Sequence, residues 1–212
     1  MQNNTFEYPH IEIEWIHDNS LDPEAVEFLK KIDDIMITRG KRCAGYAWVG
    51  DPEKEDSFGI LIEVDDELME QTHSCGARIA LYGDDRHPVI TLTEERYCEI
   101  RDGEDIEWSV YHEIGHYMCG HMNGEIGYET NETYIESRIE GDAVRLREEC
   151  EADFFASHYV APEEVLDSLS DRENDVFSQK ICGNTDKRIA DAQLKEFSVR
   201  ISSLADKWNI EI

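Results

Sequence analysis

His112-Glu113-Ile114-Gly115-His116 sets two imidazoles four residues apart with a carboxylate between them. On a helix, residues four apart stand one above the other on the same face. Both rings can then direct a nitrogen at one shared ion about 2.0–2.1 Å away, the distance zinc favours. Glu113 lies one step round that helix, close enough to reach water beside the ion without being a ligand. The combination suits hydrolysis: the ion acidifies water and polarises a carbonyl, while the carboxylate takes the water's proton and passes it to a leaving amine. The plain alternative is a helix with two unrelated histidines and a solvated glutamate. Val110, Tyr111, Ile114, Tyr117 and Met118 argue against it, because their helical spacing predicts an inward-facing helix. Burying two histidines and a glutamate beside such a face is costly without a partner, and a metal supplies one.

A hydrolytic zinc takes three protein ligands and keeps one position open, so a third ligand must come from elsewhere. Arg147-Glu148-Glu149-Cys150-Glu151-Ala152-Asp153-Phe154-Phe155-Ala156 offers it. Glu149 and Asp153 are four apart and share a face. Glu149 completes the coordination in this reading, with Glu151 and Glu148 as alternatives. Asp153 accepts the second N–H of a ligating histidine and fixes its tautomer. A solvated acidic face is the plain reading of any single glutamate here, but Ala152, Phe154, Phe155 and Ala156 predict a helix that packs inward. His121 is placed just before Asn123-Gly124, where the first helix is expected to end. It is either a substrate-side donor or a cation favoured by the helix C-terminus. His158 reads as a partly buried structural histidine.

Together the two motifs resemble the ImmA/IrrE family of zinc metallopeptidases, within the wider group whose third ligand is a glutamate. Pro88-Val89-Ile90-Thr91-Leu92 is similar to the strand that precedes the active-site helix in that family, and Ile106 to Tyr111 to its helix lead-in. Tyr117-Met118-Cys119-Gly120-His121 resembles the usual continuation, and Glu149 to Pro162 its E-x-E-A-(N/D)-x-F-A stretch. The likeness spans roughly residues 76–162. This chain departs from the family at Tyr159-Val160-Ala161, where paired leucines and a methionine are usual, and in the polar stretch Gly124 to Gly141. Tyr128 and Tyr134 within that stretch are candidates to stabilise an oxyanion. The resemblance implies a protein substrate, often a transcriptional repressor of a mobile element or stress response.

Composition narrows the partners. Lys and Arg total 20 against 49 Asp and Glu, a formal charge of −29. That excess disfavours nucleic acid and anionic membrane and suits a basic partner surface. Six scattered cysteines form no C-x-x-C pair. Met1 to Thr5 is polar with no apolar stretch behind it, so a cytoplasmic protein with reduced thiols is expected. No run approaches the ~20 apolar residues of a membrane span.

The elements that must hold the site follow from periodicity. Ile11 to Ile16 alternates as an edge strand; Tyr46–Val49, Phe58–Val64, Ala77–Tyr82 and Val89–Leu92 read as further strands. A helix is expected from Asp22 to Arg39-Gly40, and another over Asp186–Lys207 with apolar Ile189, Leu194, Phe197, Ile201, Leu204 and Ala205 between charged faces. The second is either a core helix, the preferred reading, or one that docks a partner. The fold expected is α+β: a small, mostly antiparallel sheet packed on helices, with a zincin-like helix carrying the histidines. It is read as a single domain over 1–212, with a core at about 76–162 and a helical extension over 163–212. Two functions fit: a zinc metalloendopeptidase with Glu113 as base, and a metal-stabilised regulatory module that docks a basic DNA-binding protein without cutting it.

Overall fold

A computed structural model describes residues 8–16, 42–51, 54, 57–72, 76–83, 86–103, 107–122, 128–129, 143–169, 171–181 and 186–208. The helix expected over residues 22–40 and Tyr134 lie outside the described residues, as do the side chain of Tyr128 and most of the 124–141 stretch. The chain divides into two compact units. One comprises Pro9–Asp105 and Met122–Thr130, the other Met1–Tyr8, Ile106–His121 and Asn131–Ile212. The class is α+β.

The first unit is built on a sheet. Among the described residues its strands are β1 (Ile11–Trp15), β2 (Arg42–Val49), β3 (Phe58–Val64), β4 (Ala77–Tyr82), β5 (His87–Leu92) and the two-residue β6 (Tyr128–Glu129). Their spatial order is β1-β2-β3-β5-β4-β6, with β3 and β5 parallel and every other neighbouring pair antiparallel. β1 lies at one edge, as its alternation predicts. Ile60 to Val64 and Pro88 to Leu92 are buried without alternation, the pattern of central strands covered on both faces. Ala44, Ala47, Ile79, Val89 and Ile90 complete this apolar centre.

Two helices of this unit, α1 (Asp66–Thr72) and α2 (Glu94–Asp102), were not anticipated from periodicity. Both carry legible start signals. The Leu68 amide donates to Asp65 Oδ1 at 3.0 Å, and the Arg96 amide donates to the N-cap Thr93 Oγ1 at 3.1 Å. Glu94 and Glu95 fill the first turn of α2, and Gly103 ends it with a left-handed φ of 73°. In chain order, α2 follows β5 and comes before the histidine-bearing helix.

The second unit is helical among its described residues: α3 (Trp108–Met118), α4 (Ala143–Val160), α5 (Glu163–Ser168), α6 (Asp171–Ile181) and α7 (Lys187–Trp208). Its core gathers Val110, Ile114, Phe154, Phe155, Phe177, Leu194, Phe197 and Ile201. The Phe154 ring lies 4.4 Å from that of Phe177 and 4.8 Å from that of Phe197, which ties α4 to α6 and α7. Each such side chain contributes about 1.5–3 kcal/mol by leaving water. α7 buries Ala190, Leu194, Phe197, Ile201 and Ala205 as a core helix should, but Ile189 faces solvent and Leu204 is half-buried. No described helix is long and apolar enough to cross a membrane.

Candidate metal centre

α3 and α4 make the densest helix pair of their unit because a glycine lets them touch. A Cβ at Gly115 would stand 3.0 Å from both the Cα and the carbonyl oxygen of Ala152, and 3.1 Å from Phe155 Cβ. Backbone therefore meets backbone at the centre of the H-E-x-x-H run. Tyr111 of α3 also stacks on Tyr159 of α4, with ring centroids 4.9 Å apart and planes 11° from parallel. Trp108, Val110, Tyr111 and Ile114 are buried along with His112, Glu113 and His116.

At that crossing His112, His116 and Glu149 converge. His112 Nε2 lies 3.0 Å from His116 Nε2 and 3.2 Å from Glu149 Oε2, and His116 Nε2 lies 3.6 Å from the same oxygen. A tetrahedral ion with ligands at about 2.0–2.1 Å has ligand–ligand edges of about 3.3 Å, and these three distances straddle that value. All three side chains are buried, and together they could hold a metal ion. Glu149 Oε1 is buried with no hydrogen-bond partner among the described residues. Four buried carboxylates, Glu113, Glu149, Glu151 and Asp153, outnumber the cationic groups described beside them, the Arg147 guanidinium and the His112 imidazolium. Such an excess of negative charge away from water calls for a cation. Donor set, edges and the orphaned oxygen all fit a dication.

The groups around the three are ordered to match. His112 Nδ1–H donates to Asp153 Oδ1 at 2.8 Å, which leaves Nε2 for an ion. Burial alone would lower the His112 pKa, but the bonds to Asp153 and Glu149 outweigh it and hold the value well above 6.5. At His116 burial wins, and the pKa falls below the ordinary imidazole value. Burial would raise Glu149, yet His116 and His112 reverse this and bring it to about 2, so this carboxylate is ionised. Glu113 is fully buried on the same helix, next to His112.

His121 is placed otherwise than its spacing suggested. α3 ends at Met118, not near Asn123-Gly124. Gly120 takes a left-handed φ of 74°, a conformation that costs a side chain. The Gly120 amide donates to Tyr117 O at 3.1 Å and the His121 amide to His116 O at 3.0 Å. This paired-bond helix stop reverses the chain and folds His121 back along α3. The ring is buried: Nδ1 lies 2.9 Å from His116 Nδ1, and Nε2 lies 2.9 Å from Glu151 Oε2. Neither a substrate-side donor nor a solvated C-terminal cation describes it.

Of the other readings, Glu151 turns to His121 and Arg147 while Glu148 is only half-buried, so Glu149 is the glutamate beside both histidines. His158 lies on an exposed side of α4 and stacks on Tyr8 at 3.6 Å. Cys43, Cys98, Cys119 and Cys150 are thiols among the described residues, and Cys119 lies near His121 and Glu151. Arg147 was not singled out from sequence, although its place four residues before Glu151 is the spacing of a helical ion pair. No protein-family model, curated protein or solved structure matches the chain.

Proposed function

We propose that this protein is a zinc-dependent metalloendopeptidase. The observation that carries the reading is the buried convergence of His112 Nε2, His116 Nε2 and Glu149 Oε2 on one point, with Glu113 beside them on the same helix. Imidazole and carboxylate donors in a tetrahedral arrangement favour zinc among the common divalent ions. Bound there, zinc would polarise a peptide carbonyl and bring the pKa of water toward ~7.

The chain's own groups do the rest. His112 presents Nε2 because Asp153 holds the proton on Nδ1. Glu113 takes a proton from the attacking water as the C–O bond forms, and returns it to the amide nitrogen as the C–N bond breaks. Burial of Glu113 strengthens its action by shielding it from competing water. The substrate is a protein, and the −29 charge favours one with a basic surface, such as a DNA-binding repressor. This is also the class implied by the resemblance to the ImmA/IrrE family.

The test is Glu113→Gln assayed against the proteins encoded beside this chain, any DNA-binding repressor among them first. Zinc content should stay at that of the wild type while cleavage falls by about 10²–10⁴, and His112→Ala should lose both. Wild-type protein that holds zinc and binds the repressor without cutting it would establish the non-cleaving module instead. Cleavage that survives Glu113→Gln would overturn the assignment of the base.

A further inference from the structure

We infer that His121 is a positioning residue for His116, held in place by a line of polar side chains that runs from the metal centre through Glu151 and Arg147 to α7. The inference rests on the reading of His116 as an ion ligand through Nε2.

Tautomer logic carries it. If His116 gives Nε2 to an ion, its remaining proton sits on Nδ1, which faces His121 Nδ1 at 2.9 Å. Two N–H groups cannot face each other at that distance, so His121 Nδ1 accepts and its own proton sits on Nε2. That nitrogen faces Glu151 Oε2 at 2.9 Å, the acceptor it then needs. The second oxygen of Glu151 lies 3.2 Å from Arg147 Nε, an ion pair by charge rather than a hydrogen bond, and Arg147 Nη1 donates to Asp191 Oδ1 on α7 at 3.4 Å. Each imidazole proton in the line thus has one place, and each ligating histidine has its own support: Asp153 for His112, the His121–Glu151 pair for His116. Orienting groups of this kind fix ring and tautomer and raise ligand basicity.

The same side chains admit a rival reading. Cys119, His121 and Glu151 offer donor atoms within 4.8 Å of one another, as a second ion site would. Arg147 argues against it, because a guanidinium on Glu151 already balances the charge that would attract the ion, and His121 Nδ1 is committed to His116.

The test is cobalt and zinc affinity, measured by chelator competition on the full chain, for wild type, His121→Leu and His121→Gln. Leucine fills the space without accepting a proton. Glutamine can accept from His116 and donate to Glu151. His121→Leu should weaken binding about 10- to 100-fold, His121→Gln should recover most of that loss, and both should keep the wild-type circular dichroism. Imidazole ¹⁵N spectra of the zinc-loaded protein should show His116 protonated at Nδ1 in wild type and His121→Gln. Equal affinities in all three proteins would overturn the inference. So would two ions per wild-type chain with one lost in His121→Leu, which would make His121 a ligand. Absence of any wild-type binding would instead defeat the metal-centre reading beneath it.

Discussion

Gly115 of α3 meets the backbone of Ala152 of α4 so closely that a methyl group there would force its neighbours apart, the nearest atoms lying 3.0 Å from where a Cβ would stand. The two helices that carry His112, His116 and Glu149 owe their spacing to that contact. Replacing Gly115 sets two effects against each other. Alanine gains about 1 kcal/mol of helix propensity, whereas forcing atoms into a packed contact costs about 1–3 kcal/mol. Because the obstructing atoms are largely backbone, the second effect wins. Gly115→Ala should lower unfolding stability in urea by about 1 kcal/mol and weaken zinc binding, with Gly115→Val worse on both counts. A more stable Gly115→Ala protein with unchanged zinc affinity would contradict this account of the crossing.

Asp153 should matter to metal binding without touching the metal. Asp153→Asn keeps the shape of the acceptor and removes its charge, and should weaken zinc binding about tenfold; Asp153→Ala should reach about 10- to 100-fold. Competition with a chromogenic chelator reads both. An affinity indifferent to either change would mean that His112 is oriented by something else.

Proton release provides an independent check on His112. In the ion-free protein its pKa stands well above 6.5, because Asp153 and Glu149 overcome its burial. Glu149 is ionised already, with a value of about 2, and His116 is held neutral. An ion arriving at pH 7 therefore displaces about one proton, from His112. Calorimetric titration in buffers of different ionisation enthalpy should show that release. Apparent affinity should rise with pH, by up to about tenfold per unit, until His112 has lost its proton unaided. The sign for folding of the ion-free protein is opposite. A raised pKa adds stability that is full below 6.5 and declines as pH rises through the folded value. Proton uptake on binding would be incompatible with this assignment.

Removing the ion should cost stability by mass action. At a free concentration about 100 times Kd, an ion that binds only the folded chain adds about 2.7 kcal/mol. For a chain of this size that corresponds to about 5–10 °C in Tm. A chelator should lower the melting temperature by that much, and excess zinc should restore it. A Tm that ignores both treatments would show that no ion holds α3 and α4 together.

The sequence exposes chemistry better than context. Phe58–Val64 and Ala77–Tyr82 stand as read, because their apolar runs end in turn signals and a strand pattern of that kind survives tertiary packing. Glu149 and Asp153 could be paired with the histidines because spacing of four is intrinsic to a helix. The helices α1 and α2 escaped notice because they are short and weakly periodic, although Thr93 before Glu94-Glu95 and Gly103 after Asp102 marked both ends of α2. The stop of α3 was misplaced because Asn123-Gly124 outweighed Gly120, when a single glycine beyond the last apolar turn suffices. The place of His121 was not legible at all. It depends on a chain reversal and on a glutamate thirty residues further along, and local spacing is silent on such meetings. Ile189 turns outward on α7 for a related reason: when several rows of a helix are apolar, only the packed neighbours decide which row turns inward.

An ion held by His116 and Glu149 would also be a rivet in the covalent chain. About 33 residues separate the two positions, and the intervening chain contributes β6 to the sheet. Fastening the ends of such an excursion removes unfolded-state freedom as a disulfide would, by about 3–4 kcal/mol for a loop of this length. This chain, with its four described thiols apart and its acidic composition self-repelling, would thereby obtain from a reversible bond the restraint that other small proteins draw from a permanent one.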